Sequence, residues 1–440
     1  MQQKLLLFSF LYLLGSSFVT PFSFAQEAEK ETPQAEDATV QFEQLFKAVK
    51  QNPDNLDINF EYASLAMKLG KYDEAIASYE RMLIIKPDLQ RVKLDMAIAY
   101  MKASQPLEAK KIFEEVMASD PPAQVQDNIQ VMLSQIDKAV KRHRFSGTVG
   151  FGFNSDSNAN SAPGSGEVSI VGLNFALDES GRSASDDHMF SVLSLNHQYL
   201  MEVGQKDFWK STFSVYKTKQ SSMRNLDLTA YSFKTGPSFV LSPRLRLGLT
   251  AGYSDVNLAD QDYLRTNSYE IATDYLVTPK VKFNATVTRE QRRYQNAPEA
   301  TTYADRSGYA FQESLGLTVA ATKKDIINAN LMFRQESTAK RYNDNSQKRV
   351  RIGYTRILPK DMMINTHVTF RKSQYKEVDP VVDPNKIRSE VERSYGITLA
   401  KKLTKKDTVS VGYQYKDITA EIPNYDYENE RVSINYSRRF

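Results

Sequence analysis

Cysteine is absent from the 440 residues, which excludes disulfides, thiolate metal sites, a cysteine nucleophile and the lipobox cysteine of a lipid-anchored lipoprotein. An exported chain of this kind must be held by packing and backbone pairing alone. Long apolar runs are missing beyond the first 25 residues, and a mean hydropathy of −0.49 excludes a bundle of membrane helices. Net charge is small. The 57 Lys and Arg against 53 Asp and Glu leave +4, too mild to argue for nucleic acid or an acidic polymer as partner. Catalytic patterns are lacking too. The four histidines, His143, His188, His197 and His367, show no metal-ligand spacing, and neither a GxSxG elbow nor a phosphate-binding glycine loop occurs. Asp156-Ser157-Asn158-Ala159-Asn160 mimics the start of a calcium loop, but Ser161 stands at the sixth position, where glycine is required. No enzyme, no metal and no cofactor is therefore expected.

What is present begins with a targeting signal. Lys4 precedes an apolar run that reaches Ser23-Phe24-Ala25, with small residues at the −3 and −1 positions of a cleavage site. Residues 1–25 read as a secretory signal peptide rather than an anchor, because Gly15, Ser16, Ser17 and Pro21 interrupt the run. Residues 26–38, rich in Glu, Gln, Ala and Pro, lack the apolar content to fold and read as a disordered leader.

From 39 to 143 the apolar residues keep a helical period and repeat. Ala75, Tyr79 and Pro87 recur as Ala109, Phe113 and Pro121, each displaced by 34, the period of the tetratricopeptide repeat. The alanines let paired helices approach, the aromatics fill the space beside them, and the prolines end the second helix for want of an N–H. Ala63, Gly70, Ala97 and Tyr100 fit first-helix positions. Flanking helices over 40–51 and 123–144 resemble the caps a short solenoid requires. The array either braces the next domain or offers a groove to a partner. The groove would be lined by Phe60, Ser64, Met67, Arg91, Leu94, Ile98 and Met101.

At Arg144 the period changes to 2 and stays so to the end. "TVSVGYQY" at 408–415, "VKFNATV" at 281–287 and "INTHVTF" at 364–370 each give one greasy and one wet face. Tight Pro, Lys and Asp turns, among them 204–207, 322–325 and 404–407, alternate with longer polar connections, among them 258–262, and the intervals between them yield 14 strands of ten or more residues. An even number of long strands with short turns on one side and long loops on the other describes a closed outer-membrane barrel over 144–440. The fold class expected is thus a short helical repeat domain followed by a 14-stranded antiparallel transmembrane β-barrel. Nineteen of the 24 tyrosines follow Arg144, as aromatic girdles would require.

Fourteen strands should enclose a lumen, wet or plugged. Lys282, Glu290, Arg292, Arg349, Arg351, His367 and Arg371 are the inward candidates, either selecting solutes or pairing into wall networks. In the last strand, Val432, Ile434, Tyr436 and Phe440 alternate up to the terminal aromatic, broken at Arg438. This pattern resembles the signal by which barrel-assembly machinery recognises bacterial outer-membrane proteins. The stem of Arg438 is long enough to snorkel.

The order of parts, "DPPAQVQDNIQVMLSQID" at 120–137 and "FSGTVGFGFNSDSNANSAP" at 145–163 together resemble the surface lipoprotein assembly modifier (Slam-like) family of Gram-negative outer membranes. The likeness is most specific over 109–163. It implies a translocation factor in the cell outer membrane, with its repeat domain in the periplasm receiving a surface lipoprotein or soluble secreted client or its periplasmic chaperone. Outer-membrane lipid and the assembly machinery would be further partners. The alternatives are a solute porin or uptake channel with a periplasmic docking domain, and an adhesive surface protein acting through its loops.

Overall fold

The computed structural model describes residues 34–202, 207–296 and 302–440; the expected signal peptide, most of the leader and most of the expected tight turn at 204–207 lie outside the described residues. The chain divides into a helical unit up to Arg144, with which Tyr199–Asp207 groups, and a barrel unit made of the rest from Phe145.

The helical unit holds α1 Gln34–Gln51, α2 Leu56–Lys68, α3 Tyr72–Ile85, α4 Gln90–Lys102, α5 Pro106–Ala118 and α6 Ala123–Val140. The first helix begins inside the stretch expected as a disordered leader. Helices α2 with α3, and α4 with α5, are the two repeats. Ala63, Ala66, Ala75, Ala97, Ala99 and Ala109 have no exposed surface, and Tyr79 and Phe113 are 2% exposed. The 34-residue displacement extends to the backbone. Gly70 and Ser104 both take positive φ just past the first helix of their repeat. The next amides, of Lys71 and Gln105, then donate to Ala66 and Tyr100 five residues back, which closes orphan carbonyls of the helix end.

The two helices of the first repeat are also joined by a buried polar knot. Asn59 donates from Nδ2 to the carbonyls of Pro53 and Asn55, both at 2.8 Å. Its Oδ1 accepts from Ser78 Oγ at 3.1 Å and from Arg81 Nη1 at 2.7 Å. Asn55 caps α2 by accepting from the amides of Asp57 and Ile58.

The barrel strands are β1 His143–Asp156, β4 Asp186–Leu200, β5 Phe208–Gln220, β6 Leu228–Ser242, β7 Leu245–Leu258, β8 Gln261–Thr278 and β9 Val281–Tyr294. They continue as β10 Gly308–Ala320, β11 Asp325–Thr338, β12 Asn345–Leu358, β13 Met362–Val378, β14 Ile387–Lys402, β15 Asp407–Ala420 and β16 Tyr427–Arg439. A hairpin of β2 Glu167–Ile170 and β3 Leu173–Ala176 stands apart from them in the longest connection. The 14 strands close antiparallel, in chain order, with β1 against β16. The joint spans Thr148 opposite Arg439 to Asp156 opposite Arg431, and Gly147 and Phe440 exchange both backbone hydrogen bonds beyond it. Closure leaves no edge, as lipid requires of a sheet. Even the 13-residue strands would rise about 33 Å at ~3.3 Å per residue and a ~40° tilt, enough to cover an apolar band of about 25 Å.

Both ends of the sheet, at Gly147 and Phe440, lie at the rim of the tight turns. Two of these turns share the sequence Thr-Lys-Lys-Asp. In each, the Thr322 or Thr404 hydroxyl accepts from the amide three residues on and donates to the Asp325 or Asp407 carboxylate. Asp407 also receives Tyr436 Oη at 2.7 Å and Arg438 Nη1 at 3.3 Å. Arg438, the break in the terminal alternation, therefore has an ion-pair partner as well as reach. On the opposite rim one connection expected to be long, 258–262, is a two-residue turn at Ala259 and Asp260, both with positive φ. That geometry matches the strand twist and needs no further loop.

The 157–185 connection folds onto the loop rim rather than standing free. Ser169 amide donates to Asn424 Oδ1 at 2.6 Å, Asn424 Nδ2 returns a bond to the Ser169 carbonyl, and the Val171 and Gly172 amides donate to Val381 and Val382. The end of the would-be calcium loop, Glu167, sits in β2 opposite Ala176, while Asp156 accepts from Arg431 and Asn429.

Candidate functional site

Two surfaces carry the candidate residues. On the helical unit, Phe60, Ser64 and Met67 recur along α2, and Arg91, Leu94, Ile98 and Met101 along α4, at spacings that keep each set on one helix face. All but Arg91 are half-buried. Phe60 and Met67 pack on the core of the first repeat, and Leu94, Ile98 and Met101 on that of the second. Arg91 joins the rows, its guanidinium 5.9 Å from the Phe60 ring centroid and 3.8 Å from Asp95. Burial raises the Asp95 carboxyl above its ordinary range, against the pull of Arg91. Beneath this face burial pushes the Tyr79 phenol up to about 12.

The second surface is the barrel interior, which follows from strict alternation. Val287, Val350, Val368, Phe370, Val432, Ile434 and Tyr436 point outward and are exposed. Their neighbours Lys282, Glu290, Arg292, Arg349, Arg351, His367 and Arg371 point inward, where they are half-buried or buried. Phe440 completes the outward row at the turn rim.

The interior changes character along its axis. Towards the turn rim the lining is mainly Ser, Thr, Asn and Gly, half-buried and linked in short pairs such as Thr212 with Asn196 (3.0 Å), Thr318 with Asn328 (3.0 Å) and Thr355 with Asn365 (2.7 Å). Small side chains leave space there. Towards the loop rim every one of the 14 strands contributes a buried inward residue, and many of these are large. The wall of the lumen is thus lined by small polar side chains at its turn end and by larger, buried ones at its loop end.

That packed layer has two halves. From β4 to β9 it is apolar and aromatic, with Tyr216, Leu228, Val256, Leu264 and Tyr294 in one cluster. Tyr263 meets Tyr294 and Tyr303 edge-on at 5.4 and 5.1 Å, a geometry that aligns ring edges with ring faces. From β9 onward it is ionic. Arg292 and Arg334 both donate to Glu336, at 2.8 and 2.7 Å, and Arg334 reaches Glu290 at 2.8 Å. The first and last of these bonds span from β9 to β11 across β10, whose Gly308 and Ala310 are too small to obstruct them. Arg371 pairs with Glu392 at 2.6 Å. Arg388 pairs with Glu390 and lies over the rings of Tyr375 and Tyr425. At the β1–β16 joint Asp156 accepts from Arg431 at 2.8 Å and lies 3.4 Å from His188. Four of the inward candidates, Glu290, Arg292, Arg371 and Lys282, are therefore in wall ion pairs, the last with Asp274 at 2.8 Å. Arg349, Arg351 and His367 are inward and half-buried, and Arg349 donates to Asn330 Oδ1 at 3.2 Å.

The aromatic expectation is met by only part of the tyrosines. Tyr231, Tyr253, Tyr269, Tyr275, Tyr309, Tyr395 and Tyr436 face outward, whereas Tyr216, Tyr263, Tyr294, Tyr303, Tyr375, Tyr425 and Tyr427 are buried. Residue type alone does not separate a girdle from a packed lumen, because both use an apolar body with a polar tip. Of the partners in the wall network, Glu336, Arg334, Glu392, Arg388 and Arg431 are not singled out in the sequence, and Asp156 and His188 draw notice there only as metal-ligand types. Alternation puts them inward, but nothing in one sequence pairs Arg292 with a residue 44 positions away.

Residues 34–88 and 66–128 match the family model described as tetratricopeptide repeat, and residues 145–440 match that of the surface lipoprotein assembly modifier. The surface lipoprotein assembly modifier of Pasteurella multocida (strain Pm70) is 21% identical over 412 residues, which cover 89% of this chain and 78% of that protein. Among solved structures, the outer membrane channel DcaP of Acinetobacter baumannii aligns with 68% of this chain and 97% of its own, at 11% identity and a TM-score of 0.40. A tetratricopeptide repeat protein from Parabacteroides merdae aligns with 24% of this chain and 41% of its own, at 17% identity and a TM-score of 0.22. With its model matched from the first strand of the closed 14-stranded barrel to the last residue, and the helical repeats ahead of it, the chain belongs to the surface lipoprotein assembly modifier family.

Proposed function

We propose that this outer-membrane protein assists the passage of a client, a surface lipoprotein or a soluble secreted protein, from the periplasm to the cell surface. The helical unit receives the client or its chaperone, and the barrel passes it. Family membership across the whole barrel is the observation that carries the reading, and the relative from Pasteurella multocida is named for the assembly of surface lipoproteins. The orientation is supported by the rims. Outer-membrane barrels keep short turns on the periplasmic side, and the strand that follows the helices starts at the rim of the tight turns. A periplasmic helical unit then follows. The face of Phe60, Ser64, Met67, Arg91, Leu94, Ile98 and Met101 offers half-buried apolar surface with one exposed guanidinium, suited to an extended or helical peptide.

The large side chains that line the loop rim weigh against an open solute porin, because they narrow the section a diffusing solute would cross. The outward row of Val432, Ile434, Tyr436 and Phe440 is the surface proposed for recognition by the assembly machinery, and removing Phe440 should lower the amount of heat-modifiable barrel. The test of function is deletion of residues 40–140. Client display should be lost while the barrel still inserts, and unchanged display after that deletion would overturn the reading. A small exported protein encoded next to this one is the first client to assay.

A further inference from the structure

Five tight turns of the barrel lie wholly within the described residues, and they share a basic composition. They read Pro243-Arg244, Pro279-Lys280, Thr322-Lys323-Lys324, Pro359-Lys360-Asp361 and Thr404-Lys405-Lys406. Counted with Asp325 and Asp407, which open the following strands, they hold seven cations and three carboxylates. All seven cations are exposed. Two of the carboxylates are engaged from the adjacent strands, Asp325 by Tyr354 and Arg356 and Asp407 by Tyr436 and Arg438. Two connections on the other rim lean the opposite way. Residues 420–427 hold Glu421 and Asp426 with no cation, and 379–386 hold Asp379 and Asp383 with Lys386.

The turn cations also sit at one height. The amides of Arg244, Lys280, Lys324 and Lys406 each donate to a hydroxyl two residues back, at 3.0 to 3.3 Å. At every one of the five turns an exposed apolar residue stands three positions from a cation: Leu241, Val277, Ile327, Ile357 and Leu403. Three residues rise about 10 Å at ~3.3 Å each, or about 8 Å along the membrane normal at a ~40° tilt. Headgroups occupy about 5–8 Å on each side of the hydrocarbon. Where the greasy outside meets acyl chains, each cation therefore stands at the depth of the phosphates.

We propose that the tight-turn rim is a collar that binds the phosphates of anionic glycerophospholipid, of the phosphatidylglycerol type. A juxtamembrane Lys or Arg strengthens attachment to an anionic leaflet by about fivefold. Successive turns are two strands apart, about 10 Å at ~4.8 Å per strand, so each takes its own headgroup. An acidic protein would have to match that ring, whereas lipids fill it singly. The proposal rests on the barrel spanning a bilayer and, for the choice of leaflet, on the periplasmic position of the turns. It is independent of client transport.

The experiment is native mass spectrometry of the full-length protein released from detergent micelles, with phosphatidylglycerol, phosphatidylethanolamine or lipid A added at equal concentration. Wild type should retain phosphatidylglycerol at least fivefold over each of the other two. Glutamine in place of all seven turn cations should bring phosphatidylglycerol and phosphatidylethanolamine within twofold of each other. Lys323→Gln/Lys324→Gln/Lys405→Gln/Lys406→Gln should fall between, and it decides the matter if the sevenfold variant lacks the heat-modifiable migration of a folded barrel. Lys340→Gln/Lys386→Gln, on the other rim, should behave as wild type. Equal retention of phosphatidylglycerol and phosphatidylethanolamine by wild type, or an unchanged preference in the glutamine variants, overturns the proposal. Stronger retention of lipid A overturns it by placing this rim in the opposite leaflet. Displacement of the bound lipid by a twelve-residue peptide alternating Glu with Ser overturns it in favour of a protein partner.

Discussion

Glu336 is the residue on which the ionic half of the loop-end layer turns, and its removal gives the sharpest test of that layer. It is 5% exposed and accepts hydrogen bonds from Arg292, Arg334 and Asn345. In Glu336→Ala, Arg334 retains Glu290 and Arg292 retains the Tyr294 hydroxyl, but the carboxylate shared between the two guanidinia is gone. Breaking a buried pair by removing one partner costs about 3–5 kcal/mol. With a urea dependence of about 2 kcal/mol per molar, the unfolding midpoint should fall by about 2 M. Glu336→Gln keeps the size and an acceptor oxygen and should lie between. The same variants should change the electrical behaviour of the barrel. Wild type in a planar bilayer should be quiet, and Glu336→Ala should show openings, since two arginines freed of their shared partner draw water into the layer. A wild-type midpoint in Glu336→Ala would refute the energetic reasoning. A steadily open wild-type channel would refute the expectation that this layer blocks conduction.

Three other perturbations test the fold that presents these surfaces. The folded helical unit holds the Tyr79 phenol neutral up to about 12, so its stabilising effect is complete below the ordinary value of about 10 and is lost as pH rises from there towards 12. The helical signal of the full-length chain should melt across that window, and Tyr79→Phe should shift the melting to higher pH. Asn59→Ala leaves Ser78, Arg81 and two backbone carbonyls short of partners and should cost about 2–3 kcal/mol, read as faster hydrogen exchange of α2 and α3. In the barrel, a Cβ at Gly236 would sit 1.9 Å from the backbone oxygen of Leu249, whereas at Gly353 the nearest atom is at 3.6 Å. Gly236→Ala should therefore sharply lower refolding yield in detergent and Gly353→Ala should not. Equal yields would contradict the register between β6 and β7.

The architecture was readable because each domain is built on a period that the chain repeats many times. Displacement by 34 from Ala75 to Ala109 and from Tyr79 to Phe113 reports a helix pair stacked on its own copy, and the buried alanines are where the copies touch. In the barrel, alternation at Val281, Phe283, Ala285 and Val287 against Lys282, Asn284 and Thr286 states which residues meet lipid, and turn chemistry such as Thr-Lys-Lys-Asp states where strands reverse. The single error of loop length, at 258–262, arose because Ala259 and Asp260 adopt positive φ without a glycine to announce it. The β2–β3 hairpin escaped notice for a related reason. Its four-residue strands are held by Asn424, Val381 and Val382 from distant loops, so no local pattern marks them.

The interior was legible by facing and illegible by depth. Alternation tells that Arg292, Arg351 and Arg371 all point inward, yet Arg292 and Arg371 are buried in ion pairs while Arg351 is half-buried one ladder step nearer the turn rim than Arg371. What separates them is height along the axis, which depends on strand tilt and on the register of neighbours, and neither is encoded near the residue itself. The register sets Ala310 opposite both Glu290 on one side and Glu336 on the other, and only that coincidence lets Arg292 reach over β10. The size gradient has the same origin. Gly150, Gly252, Gly316, Gly353, Gly396 and Gly412 look like scattered weak points in separate strands, but in the closed sheet all face the lumen. Most of them seat a side chain from the neighbouring strand, as Gly316 seats Asn284 and Gly396 seats the His367 ring, so the lining lies flat against the wall there while the larger residues stand at the loop end.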